Sequence, residues 1–224
     1  MYVFFSYGID LATPMYGGKK GFLSEFLSSI EKGDTANTQK WEFPNHLGTH
    51  IDFPFHFHQN GQTADDFTAD FWVIQGKSTQ ILDVDLKDNN LLISYEDVKN
   101  KNLNFNAKFI ILKTGFGRYR SQEKYWKNNP GLSMDFSEWI INNFKKIKII
   151  GLDSISISSW QHREVGREVH KKLLSPEKPI LIIEDMNLSK VTSDSIIKKI
   201  YIAPLMVNKS DGSPCTILAE VKQL

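Results

Sequence analysis

The chain has 224 residues, 41% hydrophobic and 24% charged, which supplies one packed core and leaves little room for intrinsic disorder. Its 27 basic and 26 acidic side chains leave a formal charge of +1, against the clustered basic excess of a nucleic-acid-binding surface. The single cysteine, Cys215, excludes an intrachain disulfide and a thiolate-rich zinc site, and reads as a buried, unreactive thiol. No apolar run approaches the roughly 18 residues that span a bilayer. The opening MYVFFSYGID has no basic residue ahead of its short apolar stretch, so it does not read as a secretory signal. These features predict one domain over residues 1–224, cytoplasmic, without a membrane or nucleic-acid partner.

In chain order, runs rich in β-branched and aromatic residues predict strands at Tyr2–Phe5, Thr79–Val84, Phe109–Thr114, Ile147–Leu152, Ile180–Glu184, Ile200–Leu205 and Thr216–Val221. A short helix is expected from Ser94, with Ser94 and Asp97 as a capping pair. A second is expected over Ser133–Lys145, where Phe136, Trp139, Ile140 and Phe144 recur at helical spacing. A third is expected over Arg163–Leu174, with Val165, Val169 and Leu173 on one side. Many strands with few crossover helices predict a mixed α/β domain rather than an all-parallel sheet. Neither a G-x-S-x-G elbow nor a nucleotide-binding glycine loop is present; GGKKG lacks the spacing.

Four of the six histidines crowd into HLGTHIDFPFHFH. His46, His50, Asp52 and His56 share one parity, so an extended strand would turn all four to one side. A helix would instead set Asp52 about 200° from His50, and Gly48 and Pro54 disfavour one. Two imidazoles and a carboxylate converging on one face suit Zn²⁺ or Mn²⁺. A structural histidine patch is the bland alternative, but burying these groups unpaired would cost a few kcal/mol each. His58, beside the turn signal Gln59-Asn60-Gly61, is expected to be exposed, and His162 lies among charged residues. On sequence alone Glu184 reads as the first solvated residue after a strand, His170 as a helix-boundary histidine, and Tyr16 as a loop packing anchor. Lys19 and Lys20 read as solvated loop charges, Asp185–Asn187 as a cap for the next segment of chain, and the five tryptophans as core or interface residues.

The string HLGTHIDFPFH resembles the HxGTHxDxPxH signature of the cyclase-like metal-dependent hydrolases, which include bacterial kynurenine formamidases and isatin hydrolases. The chain is similar to that family again at TPMYGG, ILKTGFG, NPGLSMDFSEWI, IIGLDSISI, HKKLL, ILIIEDMNL and APLMVNKSDGSP, in order and over nearly its whole length. The resemblance implies a swivelling β/β/α domain and one or two divalent ions, Zn or Mn, held by His46, His50, Asp52, His170 and Glu184. In the two-metal members Asp52 and Glu184 would bridge. It further implies His56 as the catalytic histidine, Tyr16 as a substrate-pocket aromatic, and assembly as a homodimer or homotetramer. The reaction implied is hydrolysis of a small amide, formamide, lactam or cyclic imide by metal-activated water, an arylformamidase being one form. Cyclase or dehydratase chemistry and a non-catalytic metal-binding homologue are the alternatives. The chain departs from the family pattern at Pro14–Gly18, Ser158 and Thr216, which bears on the substrate rather than on the ligands.

Overall fold

A computed structural model describes residues 1–19, 21–86 and 91–222; Lys20 lies outside the described residues. In chain order the strands are β1 Tyr2–Phe4, β2 Leu23–Ser28, β3 Thr38–Glu42, β4 His50–Asp52, β5 Val73–Gln75, β6 Thr79–Asp83, β7 Leu92–Ile93, β8 Phe109–Lys113, β9 Gly131–Leu132, β10 Ile149–Leu152, β11 Leu181–Glu184, β12 Ile197–Pro204 and β13 Gly212–Val221. Among the described residues the helices are α1 Lys124–Lys127, α2 Met134–Asn143 and α3 Arg163–Leu173. None is long and apolar enough to cross a membrane.

Nine strands form one mixed sheet in the order β5-β12-β13-β4-β11-β10-β8-β6, with β1 also on β13. The four at one end, β6, β8, β10 and β11, are parallel. They read as continuous apolar runs because both faces are covered: Phe109–Leu112 and Leu181–Ile183 are fully buried. The two edge strands are chain neighbours, β5 ending at Gln75 and β6 starting at Thr79. Four residue steps span at most about 14 Å, so the sheet must curl until its edges nearly meet. The result is the mixed α/β architecture expected from the alternating pattern.

α3 forms the crossover from β10 to β11 and buries Gly166, Val169, His170 and Leu173, spaced i, i+3, i+4 and i+7. α2 is capped by Ser133, whose hydroxyl accepts from the Phe136 amide, and it buries Phe136 and Ile140. The helix expected from Ser94 is only a 3₁₀ turn, Tyr95–Asp97; its capping pair is present, but no helical apolar stripe comes after it to extend it. The β2–β3 hairpin escaped the sequence reading because Leu23–Ser28 lacks two-residue alternation. It stands almost wholly exposed, as does Trp41, which is therefore not a core residue of this chain.

Candidate metal centre

The site is built on β4, three residues long and hydrogen-bonded on both sides, to β11 and β13. The register sets Glu184 opposite His50, and directly opposed antiparallel residues project to one face. Glu184 also closes β11 at the carboxyl end of the parallel strands, where open α/β sheets present their sites. On the other flank Gly212 lies opposite Asp52. A Cβ there would come within 2.3 Å of His46 Cε1, so the missing side chain is what admits the imidazole.

The histidines converge by a different route from the single strand expected. Only His50–Asp52 is strand. His46 sits in a turn that reverses through Gly48 at φ +66, a conformation glycine adopts without cost. His56 ends the 3₁₀ turn Pro54–His56, begun by a proline that cannot donate to a ladder. Parity therefore holds for His50 and Asp52 but not for the mechanism that brings in His46 and His56.

His50, Asp52, His170 and Glu184 are 1–4% exposed. His50 Nδ1 donates to the Gly48 carbonyl at 2.9 Å and His170 Nδ1 to the Gly166 carbonyl at 2.7 Å. Carbonyls only accept, so both Nδ1 atoms carry protons and both Nε2 atoms face the carboxylates. His50 Nε2 lies 3.4 Å from Asp52 Oδ1 and 3.5 Å from Glu184 Oε2. His170 Nε2 lies 3.5 Å from Asp52 Oδ2 and 3.4 Å from Glu184 Oε1. Each carboxylate thus turns one oxygen to each imidazole. These separations exceed ordinary N–H···O lengths. Around each imidazole they match the roughly 3.4 Å N–O edges of a tetrahedral site whose centre lies about 2.0–2.1 Å from its ligands, and His50, Asp52 and Glu184 bring three ligand atoms within 4.8 Å of one another. The donor set and its spacing fit a divalent cation, and Ser156 Oγ and the Ile157 amide pin Glu184 Oε1 from behind at 2.9 and 2.7 Å.

Among the side chains alone, protons balance the carboxylates. Burial lowers the His170 pKa, but bonding to Asp52 and Glu184 outweighs it and carries it to about 10. The same opposition, with Asp211 and Asp52 as partners, raises His46 to about 10. Burial raises the Asp52 pKa, yet His170, His46 and His50 hold it well below the usual carboxylate range.

All seven residues singled out from sequence, Tyr16 with His46, His50, Asp52, His56, His170 and Glu184, line one cavity of about 430 Å³. Tyr16 packs edge-on against Trp160 with ring centres 5.1 Å apart. Its hydroxyl is buried without a hydrogen-bond partner, and burial, then Glu184, push its pKa to about 12. His58 is elsewhere, bonded to the Lys171 carbonyl, and His162 is exposed. Cys215 is buried, and burial pushes its thiol up, as an unreactive thiol requires.

Two participants were missed from sequence. Asp211 Oδ2 meets His46 Nε2 at 3.0 Å and His56 Nδ1 at 2.9 Å, and these contacts hold its pKa far below normal. It belongs to SDGS, which reads as turn chemistry. Asp185, expected as a cap, adopts φ +51 directly after Glu184 and is fully buried. Arg120 pairs with it at 2.8–3.0 Å and Tyr125 donates to it at 2.5 Å. That ion pair fixes the turn leaving β11.

A family model described as "Putative cyclase" matches residues 6–159. The chain belongs to this cyclase family. Relatives of the cyclase-family chain include Cyclase-like protein 3 of Arabidopsis thaliana, 26% identical over 208 residues that cover 90% of this chain and 72% of that one. A kynurenine formamidase of Bacillus anthracis is 26% identical over 205 residues, covering 92% and 89%. In fold the chain is similar to isatin hydrolase A from Labrenzia aggregata, with a TM-score of 0.78, 17% identity and coverage of 100% and 94%. It is similar as well to a potential metal-dependent hydrolase with cyclase activity, with a TM-score of 0.75, 18% identity and coverage of 100% and 99%.

Proposed function

We propose that this cyclase-family chain is a metal-dependent hydrolase of small amides, formamides, lactams or cyclic imides. The observation that carries the proposal is the buried ring of His50, Asp52, His170 and Glu184, with four N–O separations of 3.4–3.5 Å. These residues would hold one or two Zn or Mn ions, with His46 joining by exchanging its Asp52 bond for the cation. When bound, a divalent ion supplies Lewis acidity, polarising a carbonyl and lowering the pKa of water from 15.7 to about 7. Asp52 and Glu184, each turning one oxygen to His50 and the other to His170, would supply carboxylate ligands whether one ion or two are bound.

His56 would move the proton. Its Nδ1 donates to Asp211, which leaves Nε2 as the basic atom on the cavity side. From there it takes a proton from the nucleophilic water and returns it to the departing nitrogen. Tyr16 would orient the substrate with its unpartnered hydroxyl, and Trp160 and Phe57 would flank an aromatic group. The names of the formamidase and isatin-hydrolase relatives support N-formylkynurenine and isatin as first substrates to try. The apolar side chains exposed on the β2–β3 hairpin support the expected homodimer or homotetramer, which light scattering checks.

The test is elemental analysis of the purified protein with a hydrolysis screen on those two compounds and simple esters. Stoichiometric Zn or Mn with a product gaining one water supports the proposal. Loss of one water would show dehydrative cyclase chemistry, and full metal without any turnover would leave a binding protein.

A further inference from the structure

α3 carries Arg163, Arg167 and His170 at i, i+4 and i+7, on one face, and all three line the cavity. With a rise of 1.5 Å per residue, Arg167 stands about 5 Å and Arg163 about 10 Å along the helix from the metal-facing imidazole. The Arg163 guanidinium lies over the Trp160 ring, 4.5 Å from its centre, and Trp160 in turn meets Tyr16. Among the described residues neither guanidinium has a carboxylate within ion-pair distance. Glu168, the next residue in the helix, pairs instead with Lys171, and the cavity's Asp185 is occupied by Arg120. Asp52 and Glu184 face the histidine cluster. The outer wall thus combines two unpaired cations, an aromatic face and an unpartnered phenol.

We propose that Arg163 and Arg167 are specificity-determining residues that select substrates bearing a carboxylate about one to two helical turns from the reacting carbonyl. A guanidinium meets a carboxylate through a planar fork, and exposure at the cavity mouth keeps the desolvation cost of that pairing low. A neutral substrate of the same shape gains neither contact. The inference rests on the hydrolase proposal for the reacting group, while the anion site itself stands on the arginines alone.

The experiment compares formanilide with 4-formamidobenzoate, and measures benzoate binding by calorimetry, in the wild type and in Arg163→Gln/Arg167→Gln, with metal content as the folding check. The wild type is expected to favour the carboxylate by about tenfold or more in kcat/KM, chiefly through KM. In the double variant that ratio collapses toward one and benzoate binds about tenfold more weakly. The lysine pair, Arg163→Lys/Arg167→Lys, recovers part of the preference because the charge remains without the fork. Added salt shrinks the wild-type preference, since the guanidinia are exposed. Equal rates on both formamides in the wild type, or an unchanged ratio and benzoate affinity in the double variant, would overturn the inference while leaving the hydrolase reading intact. Benzoate binding lost in the variant, with neither formamide nor isatin cleaved by any form, would support the anion site and count against the hydrolase reading separately.

Discussion

Gly212→Ala places one methyl group against the centre. The backbone at residue 212 is not left-handed, so alanine adopts it freely. The new carbon would lie 2.3 Å from His46 Cε1 and 2.8 Å from Nε2, against the roughly 3.5–4.0 Å of ordinary carbon contact. The His46 ring is the end of a side chain, 25% exposed, and so it yields rather than the strand pairing. A retreat of more than about 1 Å breaks its contacts to Asp52 at 2.8 Å and Asp211 at 3.0 Å. Displaced groups around metal sites typically cost 10- to 100-fold in affinity or activity, and that loss is expected for Zn²⁺ or Mn²⁺ in competition with a chelating dye. The effect should run through His46, so adding Gly212→Ala to His46→Ala should produce no further loss. Additive losses in the double variant, or a Gly212→Ala protein with unchanged affinity, would refute a metal-holding role for His46.

His56→Ala should retain metal on elemental analysis and lose turnover; loss of the metal as well would make His56 a ligand. Asp211→Asn should keep metal bound by the buried ring but lower kcat and shift the pH profile, since the His56 proton would no longer face a carboxylate; an unmoved profile contradicts the positioning role. His46 and His170, at about 10 against an ordinary 6.5, contribute stability to chelator-stripped protein that is complete below pH 6.5 and lost as pH rises toward 10. Denaturation midpoints of stripped protein should therefore fall over that window, while metal affinity climbs as the protons leave; calorimetry in buffers of different ionisation enthalpy should detect their release. Arg120→Met removes the charged partner of buried Asp185 and should cost about 3–5 kcal/mol, lowering Tm by roughly 6–20 °C; an unchanged Tm would mean that Tyr125 alone satisfies the carboxylate.

The parallel half of the sheet was legible because buried strands read as unbroken apolar runs, as in Phe109–Leu112 and Leu181–Ile183. Glu184 and His170 were not legible as site residues from their own surroundings, since an acid after a strand and a histidine beside a helix stripe are common surface features. What moves them inward is tertiary: β4 pairing beside β11, and α3 laying His170 on the sheet. His46 and His56 reach the shared cavity through a glycine reversal and a proline-initiated 3₁₀ turn, so parity grouped residues that the fold does bring together, but by the wrong local geometry. Asp211 was hidden because a turn aspartate looks the same whether it caps backbone or braces an imidazole. The β2–β3 hairpin was hidden because its residues face no core of this chain, so burial imposed no alternation.

Anomalous diffraction from crystals grown with Zn²⁺ or Mn²⁺ locates the cation directly. A peak enclosed by His50, Asp52, His170 and Glu184, with both Nε2 atoms turned to it, is the expected result. Imidazoles rotated away, or metal found only at surface carboxylates, would contradict the assignment of this cluster as the metal centre.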